Sequence, residues 1–311
     1  MSRFIVDSRQ RLVIALACCL TCVWWAQGTT ARATQVYATF GTNYSQALGY
    51  QYGFGTFDLA NPTGSPGSYS YAWTTLTAPA AGVLANVAMQ PGTGAMVLQY
   101  DFLQFRSIST AGVVSGSLGA TSPFWGMAFD GAGDLYAFNP YGAPWLKLDP
   151  TDGQVLTEGT LVGEVAANDI YSTFGGNLAA RPAGGFFMVN QSNSPELVRF
   201  DLAGPDAATM LIGTFAGTGF DPQEPGLSLF ASGSSMFLLA GSSLFTVNES
   251  TAALTKLGVV SGLPADFRVF TGATSAFVAV PEPATLGLAA CGGAALVAHR
   301  LRRIRRRTTG G

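Results

Sequence analysis

Four stretches of the chain repeat one order of apolar and polar positions. They read "NVAMQPGTGAMVLQYDFLQFRSISTAGVVSGSLG" from Asn86, "GMAFDGAGDLYAFNPYGAPWLKLDPTDGQVLTEGTLVG" from Gly126, "NLAARPAGGFFMVNQSNSPELVRFDLAGPDAATMLIGTFAG" from Asn177 and "GLSLFASGSSMFLLAGSSLFTVNESTAALTKLGVVSG" from Gly226. Each opens with a short apolar run, crosses a Gly-rich turn and enters a second run carrying aromatics, as in Leu135-Tyr136-Ala137-Phe138. A third run ends in a turn former, as in "WLKLD" (145–149), "LVRFD" (197–201) and "LFTVN" (244–248), and a fourth run follows. Alternating apolar positions between turn residues are the signal of β-strands. The anchors Val87, Met127, Leu178 and Leu227 lie 40, 51 and 49 residues apart. Four strands per repeat of that length is the pattern of a β-propeller blade.

A fifth unit is divided between the two ends of this region. "FGTFDLA" (54–60) reads as a third strand and "YAWTTLT" (71–77) as a fourth, while "FRVF" (267–270) and "SAFVAV" (275–280) read as a first and a second. Joining both chain ends in one blade closes a ring and removes exposed strand edges. The expected fold is therefore all-β: a β-propeller of five or six four-stranded blades over 34–280, with a β-sandwich as the alternative. The segments also resemble the repeats of exported propeller proteins.

Composition narrows the setting. Charged residues make up 11% of the chain, against about 25% in an average globular protein. The net charge of −2 hides an asymmetry, because residues 34–280 hold 16 Asp and Glu against 6 Lys and Arg, a balance of −10. A body so acidic offers no basic patch to nucleic acid. Cys18, Cys19, Cys22 and Cys291 all lie outside this body, which can form no disulfide. Its stability must come from packing.

The ends follow a different pattern. Arg3, Arg9 and Arg11 precede the apolar run "LVIALACCLTCVWWA" (12–26), and "ARA" (31–33) follows before Thr34. A basic start, an apolar middle and a small-residue site describe a secretory signal peptide over 1–33 with its own helix, cut between Ala33 and Thr34, with Ala31 completing the site. At the other end, Pro281-Glu282-Pro283 precedes fifteen uncharged residues, 284–298, and then Arg300, Arg302, Arg303, Arg305, Arg306 and Arg307. As a helix, 284–298 would be about 22 Å long, short for a bilayer core of about 30 Å. The arginines form a cytoplasmic stop signal, so the body is expected outside and the tail inside. The two prolines lack a backbone N–H and keep the segment before the helix extended and unpaired. Residues 308–311 are expected to be a disordered end.

This order of Pro-Glu-Pro, short apolar helix and arginine cluster (281–307) resembles the PEP-CTERM sorting signal of Gram-negative bacteria. The resemblance implies cutting by an exosortase, a transient stay in the inner membrane, and delivery to the cell surface or extracellular matrix. It also points to exopolysaccharide or another surface protein as partner.

Catalytic chemistry is sparse. The single histidine, His299, sits in the tail, so the body has no Ser-His-Asp or Cys-His arrangement and no His/Cys cluster for a metal. No cofactor is expected, and no phosphate loop or dinucleotide fingerprint occurs. "DGAGD" (130–134) makes Asp130 and Asp134 weak calcium candidates, though Asp and Gly in this order are foremost turn formers. Trp73, Trp125, Trp145, Tyr50, Tyr52, Tyr69, Tyr71 and Tyr141 are candidate sugar platforms. Tyr141 and Trp145, in the Gly/Pro loop "NPYGAPW", are the preferred ligand contacts. The expected body is a non-enzymatic binding or structural domain. The alternative is a secreted carbohydrate-active hydrolase or lyase working through carboxylates.

Overall fold

The computed structural model describes residues 35–275, apart from 43–51, 63–66, 77–85, 101–103, 121–123, 140–143, 166–169, 171–177, 182–184, 192–193 and 203–205. The body, residues 32–279, forms one compact unit. The expected signal helix, sorting motif, membrane helix and arginine tail lie outside the described residues. Among those described there is no helix long and apolar enough to cross a membrane.

Five four-stranded antiparallel blades make up the body. The first holds β1 (Gln35–Thr42), β2 (Tyr52–Asp58) and β4 (Ala72–Thr75), and its innermost strand comes from the far end of the chain, β21 (Phe267–Ser275). The second is β5 (Asn86–Met89), β6 (Met96–Tyr100), β7 (Gln104–Ile108) and β8 (Val114–Ala120). The third is β9 (Gly126–Phe129), β10 (Leu135–Phe138), β11 (Trp145–Leu148) and β12 (Val155–Gly163). The fourth is β13 (Leu178–Ala180), β14 (Phe186–Asn190), β15 (Glu196–Leu202) and β16 (Asp206–Thr214). The fifth is β17 (Leu227–Ser232), β18 (Ser235–Ala240), β19 (Ser243–Val247) and β20 (Leu254–Ser261).

The innermost strands close a ring. β21 packs on β5, β5 on β9, β9 on β13, β13 on β17 and β17 on β21. This is a β-propeller of five blades, which settles the choice between five and six and removes the β-sandwich. The anchors Val87, Met127, Leu178 and Leu227 all fall on innermost strands, as their spacing predicts. One strand differs from expectation. Ser275 ends the first strand of the closing blade instead of opening the second, because β21 runs unbroken from Phe267 and the second position is taken by β1, paired from Val36↔Ser275 to Thr42↔Phe267 with register shifts after Thr39 and after Gly41.

Each blade is buried on both faces, so its inner strands read as apolar runs more than as strict alternation. Successive side chains still point to opposite faces. In β14, Phe186 and Met188 enter the cluster shared with the third blade, while Phe187 and Val189 enter the one shared with the fifth. In β18, Met236, Leu238 and Ala240 face the fourth blade and Phe237 and Leu239 face the first. Five apolar clusters result, one in each gap between neighbouring blades.

The rim is laced as well. β12 and β16 pair in parallel from Thr160↔Asp206 to Gly163↔Thr209, and Ala216 bridges Ala253 in parallel. β3 (Gly67–Ser70) pairs in parallel with β20 before the chain crosses at Tyr71 to its own blade. A Cβ at Gly258 would run into the Gly67 carbonyl, so glycine is what lets these two backbones meet. Unpaired outer strands invite association with other chains, and this lacing covers several of them.

Candidate functional site

Two concavities offer themselves. The first is a narrow concavity on the ring axis with room of only about 30 Å³, lined by all five innermost strands through residues such as Met89, Met127, Phe129, Leu178, Phe230 and Thr274. No acid or base is among the described residues lining it. Its hydroxyls already join blades: Thr274 Oγ1 accepts a hydrogen bond from the Met89 amide at 3.2 Å, and Ser275 Oγ donates to the Ala231 carbonyl at 2.7 Å. Such a site can hold an apolar group, but it presents no group to move a proton or ligate a metal.

The second is a shallow cleft, with room of about 20 Å³, at the outer edge of the closing blade. Phe40 and Tyr52, both buried, form its floor, and Trp73 stands beside them with 41% of its surface exposed. The Trp73 Nε1–H donates to the Gly262 carbonyl at 2.9 Å, and its ring meets Phe40 edge to face at 5.3 Å. The indole is held from two sides. Thr75 and Asp266, both exposed, sit on the rim.

The described carboxylates are largely engaged in turns and pairs. Asp130 Oδ1 accepts from the amides of Ala132 and Asp134, each at 2.9 Å, and Asp134 pairs with Lys147 at 2.6 Å. This is turn chemistry, with Gly133 at a φ of 88° completing the reversal. No group of three or more His, Cys, Asp or Glu that could hold a metal occurs among the described residues. Asp149 caps the equivalent turn of the same blade through Thr151, whose hydroxyl and amide hold its carboxyl below the usual range. Asp201 pairs with Arg199, Glu249 with Arg181 at 3.4 Å, and Glu196 accepts from Asn190 at 3.0 Å.

Glu224 is different. Burial, and then the charge of Asp221, push its carboxyl above the ordinary value of 4.5. The fold therefore favours its protonated form. That contribution is complete below pH 4.5 and is lost as pH rises through the raised value. Glu224→Gln is expected to raise the Tm at pH 7 by no more than about 2 °C, since the group is partly solvated, and to change nothing at pH 4. Thermal melts at both pH values check this; a lower Tm at pH 7 would show the ionised carboxylate to be stabilising.

The aromatic candidates separate sharply. Trp145 is 4% exposed and belongs to the cluster between the third and fourth blades, its ring 6.2 Å from Tyr136. It presents no open face to a ligand, because a third strand has neighbours on both sides. Its indole N–H has no hydrogen-bond partner among the described residues. Tyr52, Tyr69 and Tyr71 are also buried, and Tyr71 donates to the Ala38 carbonyl at 2.7 Å. Trp125 is half-buried beside Phe138. Tyr50 and Tyr141 lie outside the described residues, as do Ala31, Ala33, Thr34, Pro281, Glu282, Pro283 and the six tail arginines. Trp73, on the closing blade, is left as the exposed platform. Its signal in the sequence is its place on an outer strand, where one face has no neighbour.

Comparison with protein-family models finds no match, and comparison with curated proteins finds none. Among solved structures, the chain resembles TolB from Acinetobacter baumannii at 12% identity and a TM-score of 0.46, over 88% of this chain and 74% of that one. It resembles the allergen Mala s 1 of Malassezia sympodialis at 14% identity and 0.44, over 72% and 73%. The gluconolactonase XC5397 from Xanthomonas campestris is similar at 12% identity and 0.38, over 74% and 78%. Likenesses this distant say nothing of activity or location. On its own strand pairings, the chain is a five-bladed β-propeller.

Proposed function

We propose that this protein is exported and sorted to the cell surface or extracellular matrix through its C-terminal segment, and that its propeller body acts there by binding, without catalysis. The observation that carries the binding reading is the axial pocket, where five strands converge and no titratable side chain is among the lining residues. Carboxylate catalysis needs two acids facing one space. Asp130, Asp134, Asp149, Asp201 and Glu249 are instead bonded to turn groups or to basic partners, and Glu224 and Asp266 are not among the residues lining this pocket. Incubating the purified chain with a polysaccharide panel and measuring new reducing ends tests this. No turnover is expected. Steady turnover abolished by one Asp or Glu substitution would replace binding with hydrolysis.

The sorting reading draws support from where the strands begin and end. β1 starts at Gln35 and β21 ends at Ser275. Cuts between Ala33 and Thr34 and near Pro281-Glu282-Pro283 would remove none of the described strands, so the described body is left whole by both. An exosortase would act on the Pro-Glu-Pro segment, with Arg300, Arg302, Arg303, Arg305, Arg306 and Arg307 holding the tail in the cytoplasm meanwhile. The mass of the mature protein from its native host is expected to lack both ends. Replacing Pro281 and Pro283 with alanine is expected to leave the tail attached. Wild-type protein that keeps its arginines in the inner membrane would make the tail an ordinary anchor.

A further inference from the structure

We infer that the cleft at Trp73 binds a pyranose ring of a neutral polysaccharide; this deepens the binding reading above and rests on it. Three observations converge. First, Trp73 is the large aromatic left exposed among the described residues, at 41%. An indole face that excludes water gains by stacking on the apolar C–H face of a sugar. Second, the ring is preorganised. The 2.9 Å bond from Nε1 to the Gly262 carbonyl and the edge contact with Phe40 fix its plane before any ligand arrives, which lowers the ordering cost of binding. Using the N–H internally leaves the ring to act by stacking alone.

Third, the rim supplies the polar half of sugar recognition. Thr75 and Asp266 border the same cleft, both exposed. An ionised carboxylate only accepts hydrogen bonds, and vicinal sugar hydroxyls are donors that reach both of its oxygens. The charge decides the class of sugar. Among the described residues no Lys or Arg lines the cleft, Asp266 does, and the body carries a balance of −10 between its acidic and basic residues over 34–280. A uronate or sulfated chain is repelled; a neutral one is not.

Outer position explains why such a site fits here. β4 is an edge strand, bonded to β2 only. A long polymer can lie along it without entering the ring.

The test uses the purified full-length chain against soluble β-glucan, dextran and mannan, with polygalacturonate as the anionic control. At least one neutral polymer is expected to bind and to shift the tryptophan emission, while polygalacturonate does not. Trp73→Ala is expected to weaken binding at least about tenfold, as loss of a central aromatic anchor does. Asp266→Asn, on an exposed turn and so neutral for folding, is expected to weaken it about threefold or more. Trp73→Phe keeps a stacking ring, retains part of the affinity and removes the emission shift. If wild type binds a neutral polymer and both Trp73→Ala and Asp266→Asn bind as tightly, the site is elsewhere and the binding reading survives alone. If only polygalacturonate binds, or only a protein partner does, the inference falls. If no polymer binds, the inference falls, and the binding reading is left to the axial pocket or to a protein partner.

Discussion

A chain ending at Asp266 is expected not to fold, whereas one covering 34–280 is expected to fold as the whole protein does, without metal or oxidant. The difference is β21. This strand buries Val269, Phe270, Thr271, Ala273 and Ser275, each at 6% exposure or less. It gives β1 its inner hydrogen-bonded partner from Val36 to Thr42. It also ties both neighbouring blades: Ser228 Oγ donates to the Phe270 carbonyl at 3.1 Å, and Thr274 accepts from the Met89 amide at 3.2 Å. Losing Val269 and Phe270 alone removes about 3–6 kcal/mol of hydrophobic burial, and opening the ladder exposes a row of backbone donors. Total stability of a domain is only about 5–15 kcal/mol. Circular dichroism and gel filtration check the outcome. A soluble, cooperatively melting chain ending at Asp266 would mean that ring closure is dispensable.

Phe40→Ala is expected to destabilise the protein by about 3–5 kcal/mol, the upper range for a buried aromatic. Phe40 is 1% exposed at the centre of the closing blade. Its cross-strand partner on β2 is Gly53, and a Cβ at Gly53 would run into the Phe40 ring. The ring therefore occupies space that glycine vacates. Alanine leaves that space empty, and the strand opposite has no side chain to collapse into it. Contacts with Tyr71 at 5.9 Å and Phe267 at 6.1 Å are lost at the same time. Urea unfolding should show a lower midpoint with an unchanged slope. A loss below about 1 kcal/mol would place the closing blade outside the cooperative core. Because Phe40 also floors the Trp73 cleft, the same variant links the packing of this blade to the site on its edge.

The blades are legible in the amino-acid sequence because their cause is local. Turn residues such as Asp130-Gly131-Ala132-Gly133-Asp134 set where strands stop, and apolar runs set which of them are inner. These depend on backbone preference and side-chain period, both written in adjacent residues. The union of the two chain ends is legible too, since a lone pair of strands at each end leaves an edge to be covered. The two processing signals proposed for the ends rest on equally local patterns, short stretches read by charge and hydropathy.

What depends on distant neighbours is not legible there. Only strand order separates a buried Trp145 from an exposed Trp73; the residues just before them, Pro144 and Ala72, do not. Trp145 is on a third strand with a blade on either side, while Trp73 is on a fourth strand at the rim. Burial is decided by how many layers surround a strand, which only the closed ring fixes. The parallel lacing of β12 with β16 and of β20 with β3 joins residues far apart in sequence, such as Gly258 and Gly67. Hydrogen bonds between backbones carry no side-chain code. The cleft at Trp73 exists for the same reason: its floor, its pinning carbonyl and its rim carboxylate come from β1, Gly262 and Asp266, brought together when β21 closes the ring.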